Sequence, residues 1–100
     1  MRFETKEVFR ALGHPHRLEM LALLSRGPLS VTQVARRFPM TQPAVSHHLA
    51  VLRRAGCVTD QKRGKQVYYA LNGCCLEDCC RGLFQRLGLA FVRRTRQKNS

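Results

Sequence analysis

Two stretches of the sequence carry side chains whose types and spacing could do chemistry. The first is "TQPAVSHHLAVLRRAG", residues 41–56, in which His47 and His48 are adjacent. Adjacent residues of a helix point about 100° apart, so they cannot readily ligate one ion. No histidine or cysteine lies three or four residues from either one, which is the usual spacing of helical ligands. The nearest acid in sequence is Asp60, so no partner orients an imidazole for catalysis. We interpret His48 as a core histidine and His47 as a residue that contacts a partner.

The second stretch is "NGCCLEDCC", residues 72–80, which contains Cys74, Cys75, Cys79 and Cys80. On a helix Cys75 and Cys79 are i, i+4 neighbours, and Cys74 lies near the helix start, where the dipole favours an anionic side chain. Such thiolates, doubled in a dimer, could bind a soft ion such as arsenite, copper(I) or zinc, or form a redox or persulfide switch. Alternatively, Cys79 and Cys80 lie on the apolar stripe of the helix and pack as small hydrophobic residues. The spacing alone leaves both interpretations open.

The distribution of charge indicates a polyanionic partner. The formal net charge is +12, and between residues 20 and 76 the only acid is Asp60. A second basic cluster, "RRTRQK", spans residues 93–98. Nucleic acid is the first candidate for such a field, and an acidic membrane surface is the alternative. The bases of the central stretch are Arg26, Arg36, Arg37, Arg53, Arg54, Lys62, Arg63 and Lys65.

The composition fits one domain with one modest core. A chain of 100 residues with 44% hydrophobic residues often completes its core by pairing with a second copy. No apolar run approaches the length of a membrane span, and the start "MRFETKEVFR" does not have the pattern of a signal peptide. We therefore expect a cytoplasmic protein without a membrane partner. Its five cysteines are expected to be reduced, and their odd number argues against a closed disulfide framework. Cys57 is expected to lie in the core.

Helix start signals divide the first half of the chain into four helices. A first apolar pattern ends before residue 13, and Pro15 opens a second helix at the position that proline tolerates best. Ser30 and Gln33 have the spacing of a capping box, which predicts a third helix. Thr41 or Gln42 starts the fourth helix. The apolar stripe of the second helix is predicted to comprise Leu18, Leu21, Ala22 and Leu24.

The second half of the chain changes its period and predicts a hairpin followed by a fifth helix. The segment "CVTDQKRGKQVYYAL" reads as two strands around an Arg-Gly turn, and a long i, i+3, i+4 stripe follows it. The predicted fold is mainly α (α+β), a winged helix-turn-helix in one domain, 1–100. Its parts are a helix-turn-helix at about 30–55, a β-hairpin wing at about 57–71 and a last helix at about 74–92. The stripe of the last helix comprises Leu76, Cys79, Cys80, Leu83, Phe84, Leu87 and Phe91.

Helical spacing assigns the two faces of the fourth helix. Val45, Leu49 and Leu52 repeat at i, i+4 and i+7, so they face the core. The outward residues near the start of a recognition helix present polar groups to base edges in the major groove of double-stranded DNA, and basic residues around it contact phosphates. The predicted DNA-binding residues are Thr41, Gln42, Pro43, Ser46, His47, Arg53, Lys62, Arg63 and Lys65, with Gln42, Ser46 and His47 as base contacts.

The segment from residue 8 to residue 72 resembles the ArsR-type winged-helix repressors. The resemblance rests on "LGHPHRL", "AVSHHLAVLRRAG" and "RGKQVYYALN", and the continuation "LEDCCRGLF" is most similar to the SdpR-like branch. It implies a homodimer that binds a palindromic operator and blocks transcription. The first and last helices would pack across the two-fold axis. The implied interface residues are Val8, Phe9, Leu12, Leu76, Cys80, Leu83, Phe84 and Leu87.

The sequence departs from two metal sites of that family. Where one site has two cysteines in the third helix, this chain has Ser30 and Thr32, and where another begins with Asp-x-His, it has Asn72-Gly73-Cys74. The sequence therefore establishes no cofactor. The repressor could release DNA when its cysteines bind a soft ion or are oxidised, or it could be an autorepressor that responds to no ligand. A thiol- or metal-handling protein and a protein-interaction module are alternatives from other classes. The sequence shows no set of acid, base and nucleophile that would indicate an enzyme.

Overall fold

The computed structural model describes residues 5–91, so the basic cluster at 93–98 and the predicted helix end at residue 92 lie outside the described residues. The elements are α1 (Thr5–Leu12), α2 (Pro15–Leu24), β1 (Leu29–Ser30), α3 (Val31–Ala35), α4 (Gln42–Ala55), β2 (Val58–Arg63), β3 (Gln66–Leu71) and α5 (Gly73–Leu87). The predicted order of four helices, a hairpin and a fifth helix is confirmed. The two-residue strand β1 was not predicted.

Side-chain caps begin the central helices where the sequence predicts. Ser30 and Gln33 form a complete capping box before α3, because Gln33 N–H donates to Ser30 Oγ (3.1 Å) and Ser30 N–H donates to Gln33 Oε1 (2.9 Å). Thr41 caps α4 by accepting from Ala44 N–H (3.2 Å), and proline lies in the first turn. Each cap satisfies a backbone donor that the helix start leaves without a partner.

The three strands form one antiparallel sheet in the order β1-β3-β2. Arg63 pairs with Gln66, so the turn residues are Gly64 and Lys65 and the predicted Arg-Gly turn is wrong by one residue. Gly64 has φ +62, a conformation that a residue with a Cβ adopts only with strain. Tyr69 of β3 is buried and pairs with Leu29 of β1. The hairpin is thereby attached to the start of α3, and its tip extends away from the core.

The core lies between the helices and the inner face of the sheet. The three residues predicted to face inward from α4, Val45, Leu49 and Leu52, are fully buried, which confirms the assignment of its faces. The predicted stripe of α2 is partly wrong, because Leu18 is 50% exposed, Ala22 is also exposed and Met20 is buried instead. The buried residues are Val8, Ala11, Met20, Leu21, Leu24, Ser30, Val34, Val45, Leu49, Leu52, Ala55, Cys57, Val58, Tyr69, Cys75 and Cys79.

The last helix is shorter than its apolar stripe predicts. Helix α5 ends at Leu87, and Gly88 follows with φ +71 in the left-handed region that favours glycine. The N–H of Leu89 donates to the Phe84 carbonyl (2.8 Å), which closes the last turn. Phe91 therefore lies outside the helix, although its ring packs edge-on against Phe84 at 5.3 Å between centroids. Among the described residues, no helix has both the length and the apolar character that crossing a membrane requires.

Candidate nucleic-acid interface

The outward face of α4 presents the predicted base-contacting residues. Gln42 and His47 are exposed and Ser46 is half-buried, while the opposite face of the helix is in the core. Pro43 and the cap residue Thr41 are also exposed at the start of the helix. A helix fixed on one side by packing and open along the other is the arrangement that can enter a major groove.

The wing carries basic side chains beside this helix. Lys62, Arg63 and Lys65 at the hairpin tip are all exposed. The Arg63 guanidinium lies over the Tyr68 ring, 5.2 Å from its centroid. A cation–π contact of this kind restrains a long side chain without neutralising its charge. The tip can therefore present a fixed positive charge to a phosphate.

The single acid of the basic region is paired with one of the predicted phosphate contacts. Arg53 Nε lies 3.6 Å from Asp60 Oδ2, a link between the end of α4 and strand β2. Both side chains are more than two-fifths exposed, so the pair adds little to stability. Its main effect is to offset part of the positive charge between the helix and the wing.

The four histidines of the chain lie together, although the sequence separates them into two pairs. Ring centroids are 4.5 Å apart for His14 and His48, 5.5 Å for His14 and His16, and 5.9 Å for His47 and His48. The first pair begins α2 and the second belongs to α4. The spacing within each pair does not predict the contact between His14 and His48, because that contact depends on how α2 and α4 cross.

Arg17 of α2 forms hydrogen bonds to both α1 and α4. Its Nε donates to the Ala11 carbonyl of α1 (2.6 Å) and its Nη1 donates to His48 Nδ1 (3.3 Å). Burial lowers the pKa of His48, and the neighbouring His14 and the Arg17 guanidinium lower it further. The prediction of a core histidine is thus half right: His48 is half-buried, and its ring accepts from a cation. No group of three or more histidine, cysteine or acidic side chains between residues 5 and 91 is placed to hold a metal ion.

The cysteines divide into packing residues and surface residues. Cys57, Cys75 and Cys79 are buried, Cys80 is half-buried and Cys74 is exposed, and all five thiols are free. Burial raises the pKa of Cys57 to about 11 and that of Cys75 to about 12, with Cys79 as the next cause in both cases. The prediction of a buried Cys57 is confirmed. The predicted stripe is out of phase, because the buried pair of α5 is Cys75 with Cys79 rather than Cys79 with Cys80.

Apolar side chains remain uncovered on α1 and along the second half of α5. Phe9, Leu83 and Leu87 are exposed, while Leu12, Leu76, Cys80 and Phe84 are half-buried. Val8 was predicted to lie in an interface between protomers, but it is 0% exposed within one protomer. That prediction is corrected, because the side chain packs in the core and offers no surface to a partner.

Comparison with known proteins agrees with this geometry. Residues 14–60 match the family described as "Bacterial regulatory protein, arsR family". The transcriptional repressor SdpR of Bacillus subtilis (strain 168) is 37% identical over 71 residues, which are 71% of this chain and 79% of SdpR. The regulator NmtR of Mycobacterium tuberculosis is 41% identical over 68% of this chain and 57% of its own length. An ArsR-like transcriptional regulator from Rhodococcus sp. RHA1 superposes with a TM-score of 0.74 at 32% identity, covering 84% of this chain and 78% of that protein. On these matches the chain is a winged-helix protein of the ArsR family.

Proposed function

We propose that the protein is a DNA-binding transcriptional repressor that acts as a homodimer on a palindromic operator. The observation that carries the proposal is the exposed polar face of α4 beside a hairpin with a basic tip. Similarity to SdpR, a transcriptional repressor, supports the direction of regulation. The relatives and the family are transcriptional regulators and not enzymes.

In this proposal, three residues of α4 contact the bases. Gln42 can bridge the N6 and N7 edge of adenine, and Ser46 and neutral His47 can donate or accept at several base edges. Thr41, Pro43 and Arg53 lie at the rim of this surface, where contacts position the helix on the backbone. Lys62, Arg63 and Lys65 of the wing are assigned to phosphates. In a two-fold dimer the two recognition helices enter successive major grooves about one helical turn apart.

An in vitro selection from a random duplex library tests this assignment. The expected product is an inverted repeat whose half-sites have centres about 10 base pairs apart. The variant Gln42→Ala should relax the selected base preference at one position of each half-site by about 1–3 kcal/mol. The matched variant Lys65→Gln should weaken all duplexes about equally and flatten the salt dependence. Unchanged base preference in Gln42→Ala would show that another element reads the operator.

The dimer is assigned to the uncovered apolar surface of α1 and α5. Leu87 is 60% exposed and Leu83 is 37% exposed, and an apolar row of this kind on a small protein is usually covered by a partner. The variant Leu87→Glu should shift sedimentation at micromolar concentration towards the monomer. Gln85→Glu adds the same charge on the far side of the same helix and should leave the dimer intact. Equal behaviour of the two variants would place the dimer contact elsewhere.

The proposed repressor does not require a thiol ligand. Cys57, Cys75 and Cys79 are buried, and burial keeps the pKa of Cys57 and Cys75 far above neutrality. Neutral buried thiols are poor ligands and poor nucleophiles. Cys74 and Cys80 are the more accessible thiols, and six residues of helix point them about 120° apart. Release of DNA by arsenite, zinc, copper(I) or an oxidant stays a prediction. Anisotropy titrations of the selected duplex with and without each agent test it, and a loss of affinity that disappears in Cys74→Ser/Cys80→Ser would support a sensor.

A further inference from the structure

The histidine cluster, defined as His14, His16 and His48, lies against the flank of the recognition helix. His14 caps α2 by accepting at Nδ1 from the N–H of His16 (3.1 Å). The His14 and His48 rings are 4.5 Å apart and the His16 and His48 rings 6.4 Å apart. Imidazole is the side chain whose charge changes between about pH 5 and pH 8. A proton taken up by a ring of this cluster therefore changes the local charge by one unit within that range.

Charged groups of both signs surround the cluster. Arg17 donates to His48 from α2, and Glu19 lies 3.3 Å from His16 Nδ1 on the solvent side. Beside Arg17, a cavity of about 460 Å³ is lined by α1 and the second half of α4, and its charged lining is Glu7, Arg10, Arg17 and Arg54. Glu7 lies 4.0 Å from Arg10. On the α3 side, His16 lies next to the uncharged ring of Phe38, and the adjoining cavity that Phe38 lines also carries Glu19, Arg26 and Arg37.

The cluster is continuous with the surface assigned to DNA. The His47 ring lies 5.9 Å from that of His48, and His47 belongs to the exposed face of α4. At physiological ionic strength charges interact over about 8 Å before salt screens them. A proton on His48 therefore lies within that range of the His47 ring and of the duplex that His47 is assigned to contact.

We propose that His14, His16 and His48 form a proton-linked extension of the DNA-binding surface, so that binding of duplex DNA takes up protons and affinity rises as the pH falls. This inference rests on the proposed function. In the free protein, a proton enters His14 or His48 at Nδ1 only if that atom gives up the hydrogen bond that it accepts, and Arg17 and the neighbouring rings also oppose protonation of His48. Phosphates of a bound duplex add negative charge on the same side and relieve that opposition. Because the bound state then holds more protons than the free state, linkage makes the complex tighter at lower pH.

The experiment measures anisotropy of a labelled duplex at constant ionic strength between about pH 6 and pH 8. Two probes are used: the selected inverted repeat and a scrambled duplex of the same length. The wild-type protein should bind both duplexes roughly tenfold more tightly at the lower pH, since one unit of summed pKa change corresponds to a factor of ten. In His14→Asn/His16→Gln/His48→Gln that ratio should fall below about threefold. Asparagine keeps a capping acceptor for α2, and glutamine keeps an acceptor for Arg17.

A matched control separates proton linkage from general loss of charge. Lys65→Gln should bind more weakly at every pH and keep the wild-type ratio between the two pH values. Circular dichroism at each pH confirms that the compared proteins are folded. If the triple variant does not fold, His16→Gln replaces it, since this ring is close only to a surface carboxylate and to neighbouring rings. Its ratio should fall to about half that of the wild type.

The outcomes separate this inference from the proposed function. Affinity that is independent of pH, or that falls at lower pH, would overturn the proton linkage and leave DNA binding intact. A wild-type ratio retained in the triple variant would overturn the assignment to these three residues. Absence of binding to either duplex at every pH would overturn the proposed function itself.

Discussion

Replacement of one buried thiol tests whether the cysteines of α5 are packing residues. Cys75 is 0% exposed and lies against Cys79 and Cys57, whereas its neighbour Cys74 is exposed. Cys75→Ser buries a hydroxyl in an apolar contact, which should lower the free energy of unfolding by about 1–3 kcal/mol. The lower end of this range applies if the serine hydroxyl donates to the backbone carbonyl one helical turn earlier, because its hydrogen bond is then satisfied. For a domain of this size each kcal/mol corresponds to about 4–8 °C in the melting temperature.

The matched replacement Cys74→Ser should change the free energy of unfolding by less than about 0.5 kcal/mol. Urea unfolding of both variants gives the comparison, and thiol modification at about pH 8 gives a second one. With its pKa raised to about 12, Cys75 has roughly one thiolate in ten thousand at that pH, so it should react only when the protein opens. If Cys75→Ser is as stable as the wild type, or if Cys75 is modified as fast as Cys74, the packing argument is refuted.

Three further predictions concern the helix junctions and the charge around the recognition helix. Because the pKa of His48 is lowered in the folded chain, its contribution to stability is present above the unfolded value of about 6.5 and is lost as the pH falls from that value through the lower pKa of the folded chain. The urea midpoint of the wild type should therefore drop between about pH 7.5 and pH 5.5, and that of His48→Gln should drop less; equal drops would contradict the cause given for the shift. Asp60→Asn frees Arg53 from its 3.6 Å partner and should tighten duplex binding roughly threefold at low salt with little change in stability. Anisotropy measures this change, and weaker binding would show that the pair positions Arg53 for DNA. Ser30→Ala removes the acceptor for Gln33 N–H and should lower the free energy of unfolding by about 1 kcal/mol, as measured in urea, and an unchanged midpoint would mean that tertiary packing alone begins α3.

The sequence predicts the parts of this fold that depend on neighbouring residues. The capping box of Ser30 and Gln33 and the cap at Thr41 need only a side chain and a backbone group three residues away. The inward face of α4 follows from the helical period, because that helix is polar enough on its other side for the period to be visible. These local rules fix the start and the rotation of α4, and hence the residues that it exposes.

Features that depend on contacts between distant segments were predicted wrongly or not at all. In helix α2 residues 20–24 are all apolar and point in every direction around the axis, so the period could not decide between Leu18 and Met20 as the buried residue. The end of α5 is set by Gly88, although the apolar pattern continues to Phe91. The histidine cluster requires the crossing of two helices whose sequences are about thirty residues apart, and nothing within either segment encodes that crossing.

Helix α5 has a buried first half, which contains Cys75 and Cys79, and an exposed second half, which contains Leu83 and Leu87. This difference explains why its first half has cysteines where other amphipathic helices have larger residues. Asn72 connects the start of α5 to the end of α4, because its Nδ2 donates to the Gly56 carbonyl (3.0 Å) and its N–H donates to the Cys57 carbonyl (2.9 Å). Small thiols at this junction let the helix lie close to Cys57, the second residue after α4. Beyond the junction, the leucines of α5 are exposed and available to a second copy. A contact made there acts on a helix whose other end is hydrogen-bonded to the two residues that follow α4, so that pairing of two protomers would fix the spacing between the two surfaces assigned to DNA.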